Sequence, residues 1–524
     1  LRKYHIIFTK IHAFIIAFSP NRCYNRDNYI AKQENTMENI RIQDDLYTYV
    51  NQKKLDELVI PDDKPVAGGF NELNDSVEKI MMGEFETLAQ TKEFPNEHLE
   101  RACTLYAIAK DADRKAAHGI APALKALAVL EQINTLDDFS RLYKTLSLGG
   151  IPTPINIGVD TDMKNTKQHL VYMQGASVIL PDTTYYAPEM AAQKEQILGI
   201  WQGVASAVLA QTDLAPEAQA QYVADALAFD EIIAGLAKSR EEWSRYVEMY
   251  NPMDTDKVAE MLSTVDFGAI LNDLFGRVPE TIVVTEPRFF GGFASVLNAD
   301  TLVLYKHWAY VTGLLRFCSY LSEELRELGG MYMRAITGVA VMQSAQKFAY
   351  GLASGIYSEP VGIYYGEKYF GEEAKKDITE IVYQIIDTYK ERIKTNEILG
   401  EATREKAILK LSTMGVKMGY PDKVRAIYDK LVFNPENSLF EKATQIFNVI
   451  KDAQSKQDIE NIFISNIMNI SEENKQIITK MLILKFTEIC DEKNLSEISL
   501  LLFELVKNKS NSSESFKNIV NKLF

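Results

Sequence analysis

The sequence predicts a mainly α-helical fold: a large helical, cap-type domain with a few short strands, followed by a separate helical tail. Three observations predict it. Apolar residues recur at i, i+3, i+4 and i+7 through much of the chain from Met37 onward. Prolines stand near the expected helix starts, at Pro122, Pro188 and Pro216, each ahead of a run rich in Ala, Leu, Gln and Glu. Runs of β-branched residues are short and few.

In chain order, Leu99, Ala102, Cys103, Tyr106 and Ala107 have the spacing of one amphipathic helix face. Residues 116–130 form an alanine- and leucine-rich helix with Pro122 near its first turn. Gly149-Gly-Ile-Pro-Thr-Pro154 is a loop, and 155–159 is a short strand after it. Residues 189–240 are helical, Thr281-Ile-Val-Val-Thr285 is a strand, and long helices fill 300–355 and 372–414.

The composition changes late in the chain. All 27 glycines lie in the first 419 residues, whereas average usage would place about seven in the remainder. Lys, Asn, Ile and Ser take over, with helical spacing at Ile459, Ile462, Phe463, Ile467 and Ile470 and again at Ile498, Leu501, Leu502 and Leu505. This divides the chain into an unstructured or spurious lead, 1–36, a main helical domain, 37–434, and an unrelated helical tail, 435–524. In the lead, Lys10 and His12 interrupt an apolar run that no small-x-small cleavage site follows, so Met37 reads as the start. An export signal is the alternative.

A net charge of -15 argues against a nucleic-acid or anionic-membrane surface. Four scattered cysteines, Cys23, Cys103, Cys318 and Cys490, with no Cys-x-x-Cys pair suit a reducing, cytoplasmic setting. The six histidines (His5, His12, His98, His118, His169, His307) include no His-Glu-x-x-His, the pattern that sets two zinc ligands one helical turn apart. No P-loop, dinucleotide fingerprint or Gly-x-Ser-x-Gly occurs; Gly351-Leu-Ala-Ser-Gly355 has the wrong spacing and reads as a helix end or turn. The adjacent carboxylates Asp44-Asp45 and Asp62-Asp63 read as capping or solvated groups.

Several strings carry a resemblance. Arg41-Ile-Gln-Asp-Asp-Leu-Tyr-Thr-Tyr-Val-Asn51 is followed by Ile60-Pro-Asp-Asp-Lys-Pro65 and Leu180-Pro-Asp-Thr-Thr-Tyr-Tyr186. Later come Tyr365-Gly-Glu-Lys-Tyr-Phe-Gly-Glu-Glu-Ala374, Thr403-Arg-Glu-Lys-Ala407, Lys410-Leu-Ser-Thr-Met414 and Gly419-Tyr-Pro-Asp-Lys423. Over residues 37–434 the chain resembles the amino-terminal region of the neprilysin-like zinc metallopeptidases, nearest to the oligoendopeptidase O group. Lys54 stands where the family has tryptophan.

The resemblance implies a helical cap enclosing a cavity that restricts access to short peptides. It also implies proteolysis by zinc-activated water, with ligands supplied further along the chain. Neither the Asn-Ala-Tyr strand nor the His-Glu-x-x-His of such enzymes occurs here, so no catalytic, cofactor-binding or metal residue is carried over. Three readings follow. The chain is the amino-terminal part of a peptidase and inactive alone, or a pseudo-peptidase binding peptides or a protein, or a helical structural protein. The partners expected are short peptides, without nucleic acid or membrane; no oligomeric state is implied.

Overall fold

The computed structural model describes residues 41–433, 436–446 and 448–449. The lead and the apolar positions from Ile459 onward lie outside the described residues. The first helices are α1 (Leu46–Glu57), α2 (Gly69–Thr91) and α3 (Glu97–Lys110). Asp45 caps α1 by accepting from Thr48 N, and Asn96 caps α3 by accepting from Leu99 N.

On α3, Leu99, Ala102, Cys103 and Tyr106 are buried as their spacing predicts, but Ala107 is exposed, while Leu105, Ile108 and Ala109 are buried. A single stripe underestimates the contact because other helices of the same apolar cluster pack round α3. Residues 116–130 are not one helix. Gly119, at φ +53°, ends Ala112–His118; Ala121–Leu127 then begins with Pro122 in its first turn and runs into a 3-10 turn, Ala128–Gln132.

Next comes α4 (Leu136–Leu148), started by a capping box between Thr135 and Asp138. The strands β1 (Ile155–Thr161) and β2 (His169–Gly175) follow. Then come α5 (Ala191–Leu209), α6 (Pro216–Ala234), β3 (Pro252–Asp254) and β4 (Thr281–Val284). The sheet order is β1-β2-β4-β3, with β3 antiparallel to β4 in the register Met253 to Ile282. Only β1 and β4 are legible in the sequence: β3 is three residues long, and β2 mixes polar and apolar residues.

Among the described residues, the larger compact unit takes in residues 41–157 and those from 173 onward, and the second is the hairpin Gly158–Tyr172. Within that hairpin Asp162 N donates to Gln168 O, and the Tyr172 hydroxyl donates to Thr161 O.

The remaining long helices are α7 (Leu302–Phe317), α8 (Glu323–Thr337), α9 (Ala345–Ile356), α10 (Ser358–Tyr365), α11 (Gly371–Lys394) and α12 (Glu401–Ser412). Two apolar clusters hold the larger unit. Phe139, Phe229, Tyr305 and Trp308 pack ring to ring where α4, α6 and α7 meet. A second cluster joins α2, α3, α9 and α10 to Tyr428, Leu431, Leu439 and Ile446. Helix α11 buries only Ile386 and leaves Ile378, Ile381, Ile385 and Tyr389 exposed.

The helical residues 439–446 thus share the core of the preceding helices, with Phe440 edge-on to Phe317 at 4.7 Å. They also bring in Lys442, fully buried, whose ammonium donates to Asn437 O. Burial, then the nearby Arg114 charge, holds its pKa down at about 8. Replacing it should relieve that cost. Lys442→Met is expected to raise the unfolding free energy by about 1–3 kcal/mol at pH 7, read from urea denaturation.

Candidate functional site

A cavity of about 800 Å³ lies in the larger unit. Helices α7 and α8, the segment after β2 and the loop 339–343 form much of its lining. On α7, Thr312 and Arg316 lie one turn apart, with Ser319 just beyond the helix end. On α8, Arg326, Gly330 and Arg334 recur every four residues.

The glycine pair in α8 is what lets its neighbours approach. A Cβ on Gly329 would lie 2.5 Å from Cys318 Cβ, and one on Gly330 would lie 2.8 Å from Met342 Sδ. The guanidiniums are positioned by carboxylates: Arg326 reaches Glu323 at 2.6 Å and Gln343 O at 3.0 Å, and Arg334 reaches Glu327 at 2.6 Å. Arg326 and Arg334 are only 6% and 8% exposed, and burial holds the Arg334 guanidinium below its usual pKa. Trp201 and Trp308 supply buried aromatic lining. The Trp308 indole N–H finds no acceptor among the described residues.

Beside the cavity, Asp230 is buried at 1% exposure. It accepts from Ile179 N at 2.7 Å and from the Tyr186 hydroxyl, while the Tyr332 hydroxyl donates to Ile179 O at 2.7 Å. Ile179 and Tyr332 line the cavity, so this bond set fixes its edge. Burial raises the Asp230 carboxyl to about 7, against the opposing effect of its donors.

The histidines among the described residues do not converge. His98 Nε2 lies 2.8 Å from Asp429 and His307 Nδ1 lies 2.6 Å from Asp225, with the His307 ring stacked on Tyr222 at 3.7 Å. His169 Nδ1 is buried without a partner among the described residues. Among the described residues no three of His, Cys, Asp or Glu come together as metal ligands. Cys103 and Cys318 are buried, their thiols pushed up to about 12 by desolvation.

The strings that carry the resemblance are structural joints. Asp62 O accepts from Ala340 N and Val341 N, and Asp63 pairs with Lys347 at 2.6 Å. Asp182 accepts from Thr184 N and Arg240 N. Gly366–Phe370 is a π-helical turn that lets Tyr364, Lys368 and Tyr369 all donate to Glu84. Burial opposes ionisation of Glu84, yet these donors prevail and hold its carboxyl at about 2. Arg404 closes the loop before α12 by donating to Asn396 O and Leu399 O, both at 2.8 Å. Asp44 pairs with Arg41, and Gly351–Gly355 falls in the last turns of α9.

Sequence reasoning did not find Arg316, Arg326, Arg334, Trp201 or Trp308. The one available signal was the recurrence of arginine after eight residues across a glycine pair in α8, a pattern that does not say what faces it.

Residues 42–421 match the amino-terminal model of peptidase family M13. The chain belongs to that family, the neprilysin-like metallopeptidases. Within it the likeness is to the oligoendopeptidase O group. The neutral endopeptidase of Lactobacillus helveticus is 35% identical over 413 residues, 78% of this chain and 63% of that protein. The neutral endopeptidase of Lactococcus lactis is 33% identical over 78% of this chain and 65% of its own length. A crystal structure of PepO from Lactobacillus rhamnosis superposes with a TM-score of 0.73 at 29% identity, over 80% of this chain and 66% of that one. The chain therefore spans slightly less than two thirds of the length of these neutral endopeptidases. Among the described residues no helix is long and apolar enough to cross a membrane.

Proposed function

We propose that this chain supplies the scaffold and the peptide-facing cavity of a neprilysin-like zinc endopeptidase acting on short peptides, and does not hydrolyse peptides by itself. One observation carries the reading. The family match runs over residues 42–421, whereas His-Glu-x-x-His occurs nowhere in the 524 residues. Without paired imidazoles to hold zinc, and a glutamate to take the proton from its water, the family's hydrolytic step has no residues to perform it.

The apolar side chains left exposed on α11 support a surface that meets further polypeptide. The change of composition supports placing the end of family sequence near residue 434. The acidic balance and scattered cysteines support a cytoplasmic setting.

The test is an assay of the purified chain on an internally quenched short peptide with added zinc. Cleavage is expected to stay at background. Zinc-dependent cleavage that survives repurification would overturn the reading. A second reading, a pseudo-peptidase that binds peptides without cleaving them, is favoured by the guanidinium- and indole-lined cavity.

A further inference from the structure

Helix α11 is 24 residues long and packs on its neighbour α12, yet Ile386 is its single buried residue. Ile378, Ile381, Ile385 and Tyr389 stand at i, i+3, i+7 and i+11, which sets them in one stripe. They are 36%, 48%, 49% and 59% exposed, over a length of about 16 Å. Scattered apolar side chains on a surface are ordinary, but four aligned over three turns form a face that another polypeptide can cover. A polar row runs alongside: Glu373, Asp377, Glu380, Gln384, Asp387 and Glu391, at alternating spacings of four and three. That spacing keeps the row on one flank of the stripe. All six are exposed, and five are carboxylates. Glu380, Asp387 and Glu391 pair along the helix with Lys376 at 3.9 Å, Lys390 at 3.2 Å and Lys394 at 2.6 Å. Surface pairs of this kind are weak, so they leave the flank open to another cation.

We propose that this face of α11 docks an amphipathic helix of a partner protein, apolar along one side and flanked by lysine or arginine. This rests on the reading that α11 meets further polypeptide, and it adds the partner's form and charge. The backbone donors and acceptors of α11 are used within the helix, so it offers no edge to an added strand. Side chains at helical spacing receive the ridge of another helix instead. A second copy laid antiparallel would bring its own acidic row against this one, which like charge opposes. An anionic lipid surface is repelled for the same reason.

Two fluorophore-labelled peptides, acetylated and amidated, test this by anisotropy with the full chain at low salt. One is three repeats of Leu-Ala-Gln-Leu-Lys-Ala-Lys; its twin carries glutamate in place of lysine. The basic peptide is expected to bind at least about tenfold more tightly than the acidic twin. Ile381→Ser combined with Ile385→Ser should weaken the basic peptide at least about tenfold. Asp377→Asn combined with Glu380→Gln should cut its preference over the twin to about threefold. All four positions are exposed, so circular dichroism should not change. Asp213→Asn combined with Glu217→Gln removes two exposed carboxylates elsewhere and should leave binding as it was.

Equal affinity for the two peptides would overturn the charge assignment while leaving α11 as a face that meets polypeptide. Binding of neither, or binding unmoved by the isoleucine pair of substitutions, would overturn both. Dimerisation of the chain that the same pair abolishes, read by sedimentation equilibrium, would assign the face to a second copy and overturn the proposal. Catalytic inactivity is read separately, in the cleavage assay, and none of these outcomes moves it.

Discussion

Between pH 5 and pH 7 the unfolding free energy of the native sequence is expected to fall by about 2–3 kcal/mol more than that of Asp230→Asn. Asp230 is buried and titrates near 7, far above an ordinary aspartate. In this window the folded protein keeps the carboxyl protonated while the unfolded chain releases the proton. The folded state therefore binds more protons, and stability declines as pH rises. The contribution is complete below the unfolded value near 4 and is lost as pH passes 7.

Asparagine preserves the shape of the site. Its oxygen can still accept from Ile179 N, and the Tyr186 hydroxyl can turn to accept from the amide. The groups facing Asp230 are Tyr186, Glu231 and Lys194; Glu231 adds to the upward shift and Lys194 opposes it. Glu286 is also raised by burial and contributes with the same sign in both proteins, so it cancels in the comparison. Urea midpoints at pH 5, 6 and 7 read the difference. Parallel pH profiles for the two proteins would show that Asp230 is ionised at pH 5.

Gly366→Ala is expected to cost about 2–3 kcal/mol, with much of the loss recovered when Tyr420 is also truncated. A Cβ at position 366 would stand 2.2 Å from the Tyr420 ring, a separation no pair of carbon atoms sustains. Tyr420 has little room to retreat. Its hydroxyl donates to Glu372 at 2.5 Å, Lys375 lies over its ring at 4.4 Å, and Gly419 turns the chain there at φ +69°. The clash would also disturb the π-helical turn that aims Tyr364, Lys368 and Tyr369 at Glu84. A double-mutant cycle with Tyr420→Ala isolates the contact. Additive losses would show that the two strings do not meet there.

That joint shows how far the sequence could be read. Tyr365–Ala374 and Gly419–Lys423 stand out as strings in the sequence, yet nothing in it shows that the glycine of one seats the tyrosine of the other. The helical stripe on α3 was legible because local spacing sets it. The burial of Leu105, Ile108 and Ala109 was not, because it depends on which helices pack round α3. In the same way, capping was legible at Asp45, since a side chain bonding three residues ahead is a local event. The two sides of the Asp230 bond set, at Ile179 and Tyr186, come from a segment about fifty residues away.

By itself the sequence determined the helical class, the strands read at 155–159 and 281–285, the family resemblance and the want of a paired-histidine zinc motif. Each of these is written in local spacing or in short strings. Only the tertiary structure decided that Arg316, Arg326 and Arg334 share one cavity with Trp201 and Trp308, that Asp230 is buried enough to hold its proton, and that Lys442 lies in the core. The reason is physical: burial and charge balance are properties of the space between elements, and that space exists only once the elements have packed.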